Sequence, residues 1–152
     1  MAISLNYTGR TVDVCILETN ALPGAQDVTV GISGSGTVIS GPYKIVQKFT
    51  QALFTDLGSV PGDPTYGTEF STLIFSGQIQ TSLSLNMEFY AAAPSVMAYI
   101  RAHQTDATPL DEQLRKVVLS SFATVPGALR MTISFEFEDA STILAPVSIP
   151  IG

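Results

Sequence analysis

A single histidine, a single cysteine and thirteen carboxylates are the side chains with which this chain could build a catalyst or a metal site. His103 falls near the end of a helical pattern, where a solvated or dipole-facing histidine is the common case, and one histidine cannot make a His-based metal site alone. Cys15 sits in the alternating run Val12, Val14, Ile16 and reads as a small buried hydrophobe; with no second cysteine there is no disulfide framework. An acid/base pair of the glycosidase type needs two convergent carboxylates. Glu136 and Glu138 share one face of a strand pattern, where they read as a solvated edge that discourages aggregation. No GxSxG elbow and no HExxH occurs. Gly34-Ser35-Gly36 fits neither phosphate-binding glycine pattern, because no lysine follows and Ile39 stands where a third glycine should be, so it reads as a turn or hinge. The expectation is no catalytic residue, no metal and no cofactor.

Composition narrows the partners. Only 13% of residues are charged, which is low for a soluble monomer, so the chain is expected to hide surface in an assembly. A net charge of −6 with seven Lys and Arg argues against nucleic acid, whose affinity is built largely from basic contacts. The longest charge-free run, Phe70 to Met87, is broken by Ser, Thr, Gln and Asn and does not read as a membrane span. The N-terminal residues show no basic region followed by an apolar core. A soluble intracellular protein with protein partners is expected.

The elements that would position these residues follow from period. Ile3, Leu5 and Tyr7, then Val12, Val14 and Ile16, alternate as a hairpin, and Val28, Val30 and Ile32 as a third strand. Ile45, Val46, Phe49, Ala52 and Leu53 form a helical stripe opposite Lys44, Gln47, Lys48 and Gln51, with Ser40 or Gly41 as cap, Pro42 in the first turn and Gly58 as the stop. The loop from Gly58 to Gly67 carries Pro61, Pro64 and Gly62 as well, a restriction that predicts a fixed shape. Thr68 caps a short helix with Phe70, Leu73 and Ile74 on one face. Phe89, Ala92, Ala93, Val96 and Ile100 recur at helical spacing, with Pro94 predicting a kink or restart. Val118, Ser120 and Phe122 then precede the turn Val125-Pro126-Gly127. Leu129, Met131, Ile133, Phe135 and Phe137 alternate with polar residues, the clearest strand pattern in the chain. Val147, Ile149 and Ile151 alternate against Pro146, Ser148 and Pro150, which leaves one edge able to pair fully. Residues 140–152 therefore read as a strand the core can close without.

Leu53, Thr55, Gly58, Pro64, Tyr66 and Gly67 resemble the motif of the phage baseplate sheath-initiator family, the small, sometimes lysozyme-like, wedge proteins of contractile tails. In that family a helix ends in a Thr-x-x-Gly turn and a Pro-x-aromatic-Gly turn follows after a fixed gap. Thr55-Asp56-Leu57-Gly58 and Pro64-Thr65-Tyr66-Gly67 keep the gap, while Ser59 and Val60 replace an acidic and a basic residue. The resemblance spans roughly residues 43–138. It also carries a Glu-Pro-Arg motif before the C-terminal strands, matched in degenerate form by Glu112 and Arg115, with Gln113-Leu114 between them. The implied role of that pair is docking to the wedge, Arg115 offering a planar fork to a carboxylate within the subunit or on a neighbour.

The expected fold is α+β: helices over residues 42–103 packed with a C-terminal antiparallel sheet, after a β-rich extension of residues 1–40, in one compact domain. The resemblance implies a structural virion protein whose sheet edge, at Val147, Ile149 and Ile151, receives sheath subunits by strand addition. It implies sheath protein, baseplate wedge proteins and a tail tube or tube-initiator protein as partners, and six copies around the tube. The place would be the tail baseplate, reached through host cytoplasm, with no nucleic acid and no membrane. A tube initiator, a tail-completion protein and a lysozyme-type hydrolase are the alternatives.

Overall fold

The computed structural model describes residues 13–14, 17–19, 28–30 and 38–150. Four short strands come first: β1 (Asp13–Val14), β2 (Leu17–Thr19), β3 (Val28–Val30) and β4 (Val38–Ile39). Helices α1 (Pro42–Phe54), α2 (Phe70–Phe75) and α3 (Ser82–Ala102) follow, then a 3-10 turn at Leu110–Glu112 and strands β5 (Leu114–Val125), β6 (Ala128–Phe137) and β7 (Thr142–Pro150). The last three form one antiparallel sheet in the order β5-β6-β7, so the molecule is α+β with a C-terminal sheet.

That sheet is built by alternation. Leu129, Met131, Ile133, Phe135 and Phe137 of β6 are buried, as are Ile143, Ala145, Val147 and Ile149 of β7, and they make one apolar face. The helices cover this face with Val46, Phe49 and Leu53 of α1, Phe70 and Ile74 of α2, and Leu85, Phe89, Ala93, Val96 and Ile100 of α3. Phe49 meets Phe135 edge to face at 5.1 Å between centroids, and Phe70 meets Phe89 at 6.0 Å, so aromatic contacts stitch the two layers and the helices to each other.

Several expectations change. Residues 140–152 are not dispensable to the core, because Val147 and Ile149 are 4% and 5% exposed and pair with Met131 and Leu129. The Phe137 amide donates to Ser141 O across the β6–β7 turn, which makes the odd-numbered pairs of that ladder the bonded ones. Pro146 and Pro150 therefore turn away from β6, and the edge able to pair fully is already taken. On the far side of β7 the short strand β3 lies close by, with no ladder between them among the described residues. Ile151 falls outside the described residues.

Val118 and Phe122 do not share a face. A register shift between Leu119 and Ser121 lets Val117 and Leu119 point inward before it and Phe122 after it. Pro94 neither breaks nor restarts its helix, and α3 runs unbroken for 21 residues, because Pro94 lies on the exposed side where water can serve the carbonyl it leaves unbonded. Lys44 and Gln47 are buried, at 3% and 1% exposure, on the α1 face that the stripe assigned to solvent, where Glu112 of the 3-10 turn meets Lys44. In the N-terminal part, Asp13–Val14 pairs with Val38–Ile39 and Leu17–Thr19 with Val28–Val30. The expected partner strand Ile3–Tyr7, Cys15 and Gly34-Ser35-Gly36 lie outside the described residues. No described helix is long and apolar enough to cross a membrane.

Candidate functional site

The loop between α1 and α2 is held in shape at four of its motif positions, Thr55, Gly58, Tyr66 and Gly67. Thr55 opens it, its hydroxyl donating to Gln51 O at 2.6 Å and its carbonyl accepting from the Thr68 amide at 2.9 Å. The Gly58 amide donates to Tyr66 O at 3.1 Å, and the Leu57 amide to Thr68 O at 3.1 Å, so the segments entering and leaving the loop lie side by side, joined by a single bridge between Asp56 and Thr68. Beside Pro64, the Asp63 carboxylate accepts from both the amide and the hydroxyl of Thr65. Gly67 closes the turn at φ +98°, and a Cβ there would stand 2.5 Å from Thr55 O and 2.9 Å from Asp56 O. Only glycine meets both demands.

Two side chains then lock the loop to the helices. The Thr68 hydroxyl donates to Leu53 O and accepts from the Phe70 amide, joining the end of α1 to the start of α2. Asp56 accepts from the hydroxyls of Ser71 and Thr72 at 2.6 and 2.9 Å, and the Ser71 bond first, then Thr72, holds its carboxyl below the ordinary value of 3.8. Tyr66 packs edge to face on Tyr99 of α3 at 5.1 Å. Burial, with smaller contributions from Tyr99 and Asp63, raises its phenol above the ordinary 10.0.

Glu112 and Arg115 do not face each other. Glu112 is 4% exposed, takes the Lys44 ammonium at 2.9 Å on Oε2 and accepts the Gly41 amide at 3.0 Å on Oε1. Its carboxylate thus stands at the positive end of α1, where the helix dipole favours an anion. Arg115 lies on the other side of the strand's start, its guanidinium 3.2 Å from Glu136 with both side chains well exposed. Three residues along an extended chain, interrupted by a register shift between Leu114 and Lys116, send the two side chains apart. The carboxylate that Arg115 finds is within its own subunit.

The loop and Glu112 nonetheless meet at one place. Tyr66, Lys44 and Glu112 border a cavity of about 260 Å³ together with Asp13, Lys48 and His103. His103 caps α3, its Nδ1 2.8 Å from Tyr99 O and its ring against Tyr99, so it is fixed by the helix end. Sequence reasoning places Lys44 on a solvent face and Thr68 at a helix cap, and gives Asp56 and Tyr99 no role of their own. Their partners lie 15 or more positions away for Lys44, Asp56 and Tyr99, and neither helical nor strand period reaches that far. Among the described residues no group of three or more His, Cys, Asp and Glu is placed to hold a metal ion.

Val147 and Ile149, expected at a docking strand, point into the core rather than toward a partner. Comparison with protein-family models, with curated proteins and with solved structures returns no match to this chain.

Proposed function

We propose that the chain is a structural component of a contractile-tail baseplate that initiates sheath assembly, docking to wedge and tube proteins through its helical part and offering a sheet edge to sheath subunits. The observation that carries this reading is the motif loop. Thr55, Gly58, Tyr66 and Gly67, chosen by their resemblance to the sheath-initiator motif, each have a bond or a steric limit that the loop's shape depends on. A motif whose residues share one geometric task is a stronger resemblance than a shared composition. A charge-poor chain whose three-stranded sheet has β5 as an edge strand suits strand addition, in which main-chain bonds supply affinity and alternating side chains supply register.

On this reading the partners are sheath protein, wedge proteins and the tube or its initiator, with six copies around the tube, in the virion. Glu112 acts by fixing the start of α1 to the start of β5, not by reaching a neighbour. The test is an image of the assembled particle: this chain at the junction of wedge and first sheath ring supports the reading, and its density inside the tube or in the head rejects it.

A further inference from the structure

The open edge that matters lies on β5. The two-residue turn Pro126-Gly127 makes Val125–Ala128 a hydrogen-bonded pair, and the same parity follows from β6, whose odd residues bond β7 and whose even residues must bond β5. On that count Leu114, Val117, Leu119, Phe122 and Thr124 turn their backbone groups away from the sheet. Leu114 and Leu119, on either side of Val117, are served by α3: Arg101 Nη2 donates to Leu114 O at 3.3 Å and to Arg115 O at 3.1 Å, and the Leu119 amide donates to the Tyr90 hydroxyl at 3.2 Å. Phe122 and Thr124 have no such partner among the described residues.

These anchors also fix how α3 lies along β5. From Arg101 to Tyr90 the helix advances about 16 Å and from Leu114 to Leu119 the strand advances about 16 Å, so the two run antiparallel in step. Seven residues further along the helix from Tyr90, Leu83 comes abreast of Phe122. Leu83 and Met87 are 68% and 63% exposed, in line with Tyr90 at 46%. A groove of about 350 Å³ opens between the start of α3, at Thr81, Ser82 and Leu85, and Phe122 and Thr124 of β5. Charge selects the occupant: Glu88 is the one ionised side chain between Phe70 and Arg101, and none lies between Lys116 and Arg130, although the chain carries a net −6.

We propose that the C-terminal half of β5 is an acceptor edge, where Phe122 and Thr124 take an uncharged, extended segment of another polypeptide as a further strand while Leu83 and Met87 cover its apolar side chains. This gives a location to the strand addition proposed above and rests on that reading for the partner's identity alone, since its test needs no sheath protein. Unpaired amides beside an apolar helix stripe satisfy both requirements of a strand-binding groove, main-chain partners and side-chain cover.

The probes are short peptides of alternating Val and Thr with lysine at the termini only, and the same peptides N-methylated at every internal amide, so that neither edge can pair. Expected is slowed hydrogen exchange at the Phe122 and Thr124 amides with the plain peptides and none with the methylated ones. Thr124→Pro should keep the fold, because that amide does not serve β6, and weaken binding about tenfold, the worth of one main-chain bond. Met87→Glu, at an exposed position, should weaken binding while leaving the melting temperature in place. Equal binding of the methylated peptides, or exchange unchanged at both amides, overturns the proposal. Slowed exchange without peptide that grows with protein concentration assigns the edge to a second copy of the chain and overturns it as well.

Discussion

At Gly67 a single methyl group decides whether the loop can close. Its φ of +98° and the 2.5 Å approach to Thr55 O act together, so Gly67→Ala should cost roughly 2–3 kcal/mol in denaturant unfolding, against about 1 kcal/mol for Gly62→Ala, which has a positive φ and open space. Equal losses at the two positions would show that the loop has room to give. The Lys44–Glu112 pair answers to a different rule, since burial makes half a pair worse than none. Glu112→Gln or Lys44→Met alone should cost about 3–5 kcal/mol, the double change to apolar residues much less, and Arg115→Ala under about 1 kcal/mol because its partner Glu136 is solvated. A double-mutant cycle should accordingly find coupling between residues 44 and 112 and none between 112 and 115. Asp56 supplies a pH dependence. Its folded carboxyl titrates below 3.8, so its contribution is present above that value and lost as pH falls through the lowered one, and wild type should lose its advantage over Asp56→Asn in that acid range. An advantage constant through acid would remove the Ser71 and Thr72 hydroxyls from the account.

Elements show what period can and cannot carry. The β6 alternation is legible because every odd side chain enters the core and every even one leaves it, and α1 is legible through the stripe from Ile45 to Leu53. The β5 bulge is not legible, since an inserted residue resets the face without any residue type announcing it, and simple alternation therefore aligns Val118 with Phe122 across a shift that separates them. The burial of Lys44 depends on Glu112, 68 positions away, which no local pattern reports. The prolines of β7 block one edge, as their spacing implies, and the other edge is taken by β6. From this follows a reversed expectation for the C-terminus. Deleting residues 140–152 removes Ile143, Val147 and Ile149 from the core, each worth about 1.5–3 kcal/mol, against a total stability of about 5–15 kcal/mol. The truncated chain should lose its cooperative unfolding transition by circular dichroism. A folded, cooperative truncation would return β7 to the role of a dispensable strand.

As a whole molecule this is a two-layer α+β body whose layers leave apolar surface uncovered. Phe75, Leu83, Met87 and Leu110 are all more than half exposed, and a chain with so little charge has few means to keep such surface in water except by covering it in an assembly. Composition raises the expectation of assembly and the motif that of strand addition; neither says which edge, because edges are set by sheet order and by what the helices cap. The claim that the chain begins a sheath is tested most directly by electron microscopy of tails assembled without it. Baseplates bearing tubes of normal length and no sheath are the predicted result; tails with sheath of normal length, or particles with no tube at all, would contradict it.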